Sequence, residues 1–383
     1  MKKLTVSKVK NYLGGKGYAL LSKMSAYKQK KAVEKRNKEL NKIILRYKFV
    51  HIIFNDKFCD PFIRFNNANF GTEQHAFLVY KMYDQFSITQ AENVYEFQSL
   101  WGLDFSDSRI ERIIMHSLFV PDCVKYWNEH QIIQQKKVFW MMWGGDLYDA
   151  PRNELEDTVR KNFKGYISCT DGDCEVVREK YQLYDKIYID GEYSYPITVD
   201  MINAAIRERK EHDYIQIQVN NSADETTIDM LKKLARFANQ DVRIVTVLSY
   251  GHMQYKDEII QTGESIFGDK FEYLTNYLPP SEYTKWLANN DVFILNQDRQ
   301  EGSNNAEVVL AEGAKLYIKS SVTTYHHFND KGIKVYDTWE IEKISFEDLI
   351  AYDSKERQHN METVGFFFDD AYLKTKWEPV YNL

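Results

Sequence analysis

Residues 137–148 read KVFWMMWGGDLY. Residues 138–143 form an unbroken apolar and aromatic run, the pattern of a strand buried on both faces. The run stops at Gly144-Gly145, where the backbone can turn sharply or let a ligand come close. Asp146 follows at once. A carboxylate just past the carboxyl end of a buried strand stands where open α/β sheets place their ligands. The same residue equally suits the cap of a turn or helix, and spacing leaves both readings open.

Outward from this run, buried strands alternate with helices. On the N-terminal side, FVHIIF (Phe49–Phe54) and RIIMH (Arg112–His116) have strand character. Between them lies a helix or strand near residue 65, then a strand over 76–83. A helix over about 121–133 leads into the central run. On the C-terminal side, residues 166–170 and 186–189 are short strands, and the polar, aromatic segment 193–196 ends in proline and marks a crossing between domains. A second pattern starts at Tyr214, with strands over 214–219, 242–248, 271–274, 291–295, 315–318 and 335–336. Helices are expected over 225–238, 256–267, 281–288 and 306–312. Alternation at this spacing implies βαβ units and parallel sheets. The expected architecture is α/β, with two Rossmann-like domains over 48–197 and 198–340 facing across a cleft. A basic extension, 1–47, precedes them. A C-terminal segment, 341–383, starts helical and ends in aromatics around Phe366, Phe367 and Phe368.

A chain of 383 residues suits two domains, and 44% hydrophobic content fills two cores. The four cysteines show no metal-ligand spacing, so reduced thiols are expected. The N-terminus lacks the apolar region of a secretory leader. No apolar run approaches the ~20 residues that a membrane span needs. The net charge of −6 is unevenly spread: residues 1–48 carry 15 Lys and Arg against two acids, Glu34 and Glu39. Leu20, Met24 and Tyr27 recur at helical spacing, as do Leu40, Ile44 and Tyr47, and Gly14, Gly15 and Gly17 are expected to break any helix that starts earlier. A basic amphipathic helix can lie on an anionic leaflet, each cation near the surface adding roughly 1 kcal/mol. A solvated helix, or one packed on an acidic face of the same protein, would show the same pattern. RNA contact is not expected, because no nucleic-acid motif accompanies the charge.

The run Trp143-Gly144-Gly145-Asp146-Leu147-Tyr148 resembles the Trp-Gly-Ala-Asp-Leu-Tyr signature of the TDP-N-acetylfucosamine:lipid II N-acetylfucosaminyltransferases, the 4-alpha-L-fucosyltransferases of glycosyltransferase family 56. Asn221-Ser222 and Asp224 resemble that family's Gly-Asn-Ser-Gly-Asp loop, with Asn220 and Ala223 in place of its glycines. Ser249-Tyr250-Gly251 is similar in type to its Met-Gly-Tyr-Pro turn. Gln300 and Gly302 are similar to its Gln-Gln-Gly-Ile-Gly stretch, and His116 lies where it has a His-Gly strand end. The likeness runs from about residue 49 to 340, and the family has nothing like residues 1–47. It implies a GT-B fold and a hexosyltransferase at the cytoplasmic face of the plasma membrane. That enzyme would move an amino-dideoxy sugar, such as N-acetylfucosamine, from a dTDP-sugar to a polyprenyl-diphosphate-linked oligosaccharide in cell-surface polysaccharide synthesis. A GT-B transferase with another donor and acceptor, or a noncatalytic nucleotide-sugar-binding protein, stands as the alternative.

A nucleotide-sugar site must hold a diphosphate, and a helix N-terminus offers backbone N–H groups and a positive dipole end. Gly302, Ser303, Asn304 and Asn305, ahead of a helix expected to open at Ala306, suit that task. Asn221-Ser222 and Ser249-Tyr250-Gly251 end two other strands and should share the same sheet edge. No GxGxxG fingerprint or P-loop is present, which argues against NAD and ATP. Arg299 in the polar loop, or else Lys319, can offset charge on a leaving diphosphate; each is equally a surface cation. Glu301 and Glu307 are candidates for sugar or ribose hydroxyls. On the acceptor side, Trp143, Gly144, Gly145 and Tyr148 are candidates for contact. Asp146 is the first candidate for the base that takes the acceptor proton, or for an anchor of acceptor hydroxyls, and His116 the second. His51, inside an apolar strand, suits the core. Asp171-Gly172-Asp173 is expected to be a turn, and neither a metal nor another cofactor is expected.

Overall fold

β-Branched and aromatic residues in short apolar runs form strands here, and amphipathic segments with polar N-caps form the helices between them. The computed structural model describes residues 6–193 and 196–383, with side chains from residue 25 onward. Thirteen strands occur among the described residues: β1 Phe49–Phe54, β2 His75–Tyr80, β3 Val94–Phe97, β4 Arg112–His116, β5 Val138–Met141, β6 Gly165–Ser168, β7 Ile187–Asp190, β8 Ile215–Val219, β9 Val242–Val247, β10 Phe271–Leu274, β11 Val292–Leu295, β12 Lys315–Ile318 and β13 Tyr336–Asp337. They make a seven-stranded sheet, ordered β3-β2-β1-β4-β5-β6-β7, and a six-stranded sheet, ordered β10-β9-β8-β11-β12-β13. β1 pairs in parallel with β2 and β4, and β8 pairs in parallel with β9 and β11.

The chain forms two compact units. One comprises Met1–Ile63, Phe70–Phe139 and Arg152–Lys164, and contains β1 to β4. Its core includes Val50, Ile52, Phe62, Phe77, Leu78 and Ile114, none of them exposed to solvent. The other comprises Arg64–Asn69, Trp140–Pro151 and Gly165–Leu383. There the six-stranded sheet is buried on both faces by alternation: Phe293 and Leu295 of β11 join one apolar cluster, Val292 and Ile294 the other. In this second sheet the chain runs outward from β8 to β10, then starts again on the other side of β8 with β11 and continues to β13. The carboxyl ends of β8 and β11 therefore flank a topological switch point, where α/β sheets bind ligands.

Several elements differ from the sequence reading. A single helix spans Val6–Ile44, so the three early glycines do not break it; each costs only about 1 kcal/mol relative to alanine. Leu40, Ile44 and Tyr47 are buried as their spacing implied, whereas the Leu20 and Met24 side chains lie outside the described residues. The helix expected over 121–133 is two, Cys123–Glu129 and Gln131–Lys137, interrupted at His130. The edge strand β3 has no apolar run and escapes periodicity. Of the expected crossing, Ser194 and Tyr195 lie outside the described residues. After the 3-10 turn Phe366–Phe368 a further helix, Asp370–Asn382, follows. It packs on β7, donating from Trp377 Nε1 to Glu192 O, pairing Lys376 with Asp190 and placing Tyr381 against Asn66.

Candidate active site

The Trp143–Tyr148 signature folds as a strand end followed by one helical turn. β5 stops at Met141, and Gly144 adopts φ 78° as the N-cap of Gly145–Tyr148. That backbone is strained for any residue with a Cβ. A Cβ at Gly144 would also lie 2.5 Å from Gln300 Oε1 and 3.0 Å from Gln300 O. The glycine therefore brings this turn against the loop that follows β11. Asp146 is only 2% exposed. Its Oδ2 accepts from Trp140 Nε1 at 2.7 Å and its Oδ1 from Trp143 N at 2.8 Å. The carboxylate closes the turn, as the capping reading has it, with one oxygen on each of these two donors. Trp143 Nε1 donates to Tyr193 Oη at 2.7 Å, and Tyr148 Oη to Asp173 Oδ1 at 2.6 Å. Asp171 to Asp173 open the helix Asp171–Tyr181 instead of forming a turn, and Asp173 also accepts from Thr323.

His116, the second candidate base, is fully buried in the other unit. Its Nε2 lies 3.0 Å from His51 Nδ1, and His51 Nε2 lies 3.2 Å from His75 Nδ1. Burial lowers the His116 pKa to about 3 and His75 to about 4, so the imidazoles are neutral. His116 belongs to this interior chain together with His51, whose core placement the sequence indicated. A carboxylate elsewhere in that unit has a raised pKa. Asp56 follows the carboxyl end of β1, half-buried. Its Oδ1 accepts from Phe58 N at 2.9 Å and Cys59 N at 3.1 Å, and burial pushes its pKa up to about 7. Sequence reasoning passed over it as a strand end; its place at a parallel-sheet carboxyl edge was the available signal.

The three polar loops of the second sheet come together. Asn221 Nδ2 donates to Tyr250 Oη. Gln297 Nε2 lies 3.1 Å from Asn221 Oδ1 and 3.4 Å from Ser222 Oγ. Ser222 Oγ donates to Glu301 Oε1 at 2.5 Å. Ala223 N donates to Tyr250 O at 2.8 Å, tying the segment after β8 to Ser249, Tyr250 and Gly251. Asn220 stands where the family has glycine and takes the left-handed conformation, φ 53°, which Asn tolerates. Its side chain adds bonds a glycine lacks, donating to Thr227 Oγ1 at 2.8 Å and accepting from Asn296 N at 2.7 Å.

The helix after β11 spans Ser303–Ala311 and starts three residues earlier than expected, so Ser303, Asn304 and Asn305 form its first turn. Gly302 is its N-cap at φ 75°, and no side chain caps it. A Cβ at Gly302 would sit 2.7 Å from Asn221 Oδ1, so only glycine admits this approach. Gln300 Nε2 donates to Ser303 Oγ at 2.7 Å. Among the described residues, Asn304 Nδ2 and Gln297 Oε1 are buried with no hydrogen-bond partner. Gln297 was missed from sequence; its position directly after a buried strand was the only cue. Both candidate cations are paired: Arg299 with Asp149 and Glu301, and Lys319 Nζ with Asp298 Oδ1 at 2.6 Å. Glu307 is 1% exposed, inside its helix. No group of three or more His, Cys, Asp or Glu among the described residues could hold a metal ion.

A pair of parallel α/β sheets, with polar loops at the switch point of the second, defines the class: the fold is GT-B. A glycosyltransferase from Rickettsia africae matches with TM-score 0.61 at 10% identity, covering 88% of this chain and 98% of that one. An alpha,alpha-trehalose-phosphate synthase (UDP-forming) from Burkholderia vietnamiensis matches with TM-score 0.61 at 10% identity, over 88% and 99%. A trehalose-6-phosphate structure from E. coli bound with UDP-2-fluoro glucose matches with TM-score 0.58 at 8% identity, over 87% and 98%. The family model for 4-alpha-L-fucosyltransferase, glycosyl transferase group 56, matches residues 41–380, and the chain belongs to that family. It is a glycosyltransferase. No curated protein matches the sequence. The family match extends past both ends of the likeness seen in the sequence and leaves most of the basic N-terminal helix outside it.

Proposed function

We propose that the protein transfers an amino-dideoxy sugar, such as N-acetylfucosamine, from a dTDP-sugar to a polyprenyl-diphosphate-linked oligosaccharide at the cytoplasmic face of the plasma membrane. The observation that carries this reading is the convergence of Asn221-Ser222, Tyr250 and Gln297 on the uncapped N-terminus at Gly302 and Ser303. Backbone N–H groups and the helix dipole there suit a diphosphate, and the unsatisfied amide groups of Asn304 and Gln297 suit a polar ligand. As the acceptor hydroxyl attacks the anomeric carbon, the nucleoside diphosphate leaves with its charge held by that helix end and by Arg299. The turn held by Asp146, whose Gly144 lies against Gln300, serves the acceptor side in this reading. Asp56 of the first unit is a candidate proton acceptor by its own chemistry, since a base with a pKa near the working pH is the most effective. The chemistry invokes no metal.

A membrane-anchored acceptor also fits the basic helix, whose Lys28, Lys30, Lys31, Lys35, Lys38 and Lys42 are exposed. The test is a donor screen by thermal shift, because a true donor stabilises the folded protein in proportion to its occupancy. A dTDP-linked amino sugar should raise the melting temperature more than UDP-, GDP- or CDP-sugars, and should be turned over with a lipid-linked acceptor. Stabilisation by another nucleotide-sugar alone would assign a different donor. No stabilisation and no turnover with any of them would defeat the donor-site reading.

A further inference from the structure

We propose that Glu301 is an internal anion that occupies the donor-phosphate cradle of the unliganded enzyme and must be displaced by the incoming diphosphate. The inference rests on the donor-site reading above and adds a step to it. Glu301 immediately precedes Gly302, the N-cap of the Ser303–Ala311 helix. One of its carboxylate oxygens accepts from Ser222 Oγ at 2.5 Å. The other accepts from Arg299 Nε at 3.2 Å, with Arg299 Nη2 also at 3.2 Å. A hydroxyl and a guanidinium aimed at one anion, beside an open helix end, are donors that a phosphate oxygen would use in the same way.

The surroundings favour this exchange. Ser222 is 1% exposed and the Glu301 side chain 16% exposed, so the contact is largely withdrawn from water. Arg299 is held from the other side by Asp149, which keeps the guanidinium in place when Glu301 moves away. Asn304 Nδ2, a buried donor without a partner in the first turn of the same helix, suits an anion's oxygen. With Glu301 in place Ser222 and Arg299 are satisfied and donor affinity is reduced by the competition. Once a diphosphate binds, Glu301 gives up Ser222 and Arg299 to it. The device admits an anion able to replace a carboxylate and leaves the cradle neutralised in its absence.

The test uses Glu301→Gln in the full-length protein, with UDP, dTDP and inorganic pyrophosphate as probes measured by calorimetry. Glutamine keeps the size of the side chain and loses the charge. Affinity for the bare diphosphates should rise by about tenfold over wild type, and Asp149→Asn should raise it by less. A gain in affinity cannot come from a damaged fold, so the expected result excludes a merely structural role. If wild type binds the diphosphates and Glu301→Gln binds them equally or more weakly, this inference is overturned and the donor site stands. If neither protein binds them, both readings fall. If only the variant binds, the internal anion is established as the dominant barrier.

Discussion

Asp146 and Asp56 both follow strands of the first sheet, but their hydrogen bonds give them different tasks. Both oxygens of Asp146 are committed to Trp140 and Trp143 inside the protein. Asn at this position can accept only one of those bonds and leaves a buried donor unmatched, at a cost of about 1–3 kcal/mol. Asp146→Asn should therefore lower the melting temperature together with activity. Asp56→Asn can still accept from Phe58 N and Cys59 N, so its melting temperature should hold while turnover falls by roughly 10²–10⁴-fold. Because the base acts ionised, the wild-type rate should rise with pH through about 7, and that limb should vanish in Asp56→Asn. Full turnover in Asp56→Asn would remove it as the base. A loss of turnover at unchanged melting temperature in Asp146→Asn would restore Asp146 to that role. The Trp-Gly-x-Asp-Leu-Tyr run exposed the importance of Asp146 but not its orientation, because the Trp140 indole that claims it is indistinguishable in sequence from any other core aromatic.

The N-terminal helix shows how one element divides its work. Its C-terminal part docks through Asn37, which donates to Ser99 O and Trp101 O, and through the buried Leu40 and Ile44. Tyr27, Lys28, Lys30 and Lys31 are exposed. Removal of residues 1–47 would strip core contacts, whereas removal of 1–31 leaves Asn37, Leu40 and Ile44 in place. Full-length protein should bind vesicles containing anionic lipid, weakening as salt rises, and the chain lacking 1–31 should lose most of that binding. An unchanged bound fraction would end the membrane reading. The Ser303–Ala311 helix gives the complementary lesson. Its polar first turn reads as a loop in the sequence, because Ser and Asn are weak helix formers. Tertiary contacts at Gly302 and Asn221 set the start instead.

Across the whole molecule, buried parallel sheets carry the stability and their carboxyl edges carry the candidate site residues. The His116–His51–His75 chain ties β4, β1 and β2 together in the first sheet. Burial lowers all three pKa values below the ordinary value of 6.5, with His75 at about 4 and His116 at about 3. The unfolded chain therefore binds more protons than the folded one once the pH drops below about 6.5. Their contribution is present in full above that value and is lost progressively as pH falls toward the folded values. Thermal melting should show stability declining between pH 6.5 and 4, with a shallower slope in His116→Gln. An identical slope in the variant would exclude the histidines as its source. The sequence by itself determined every strand but β3, the alternation of strands with helices and the polar loops at the strand ends, because apolar periodicity and turn chemistry are local. It also carried the family likeness. Only the tertiary structure decided where each buried polar group finds its partner: Asp146 on Trp140, His116 on His51, and Glu301 on Ser222, 79 residues away in the chain. A buried polar side chain must be satisfied, and which group satisfies it depends on distant segments that the fold alone brings together.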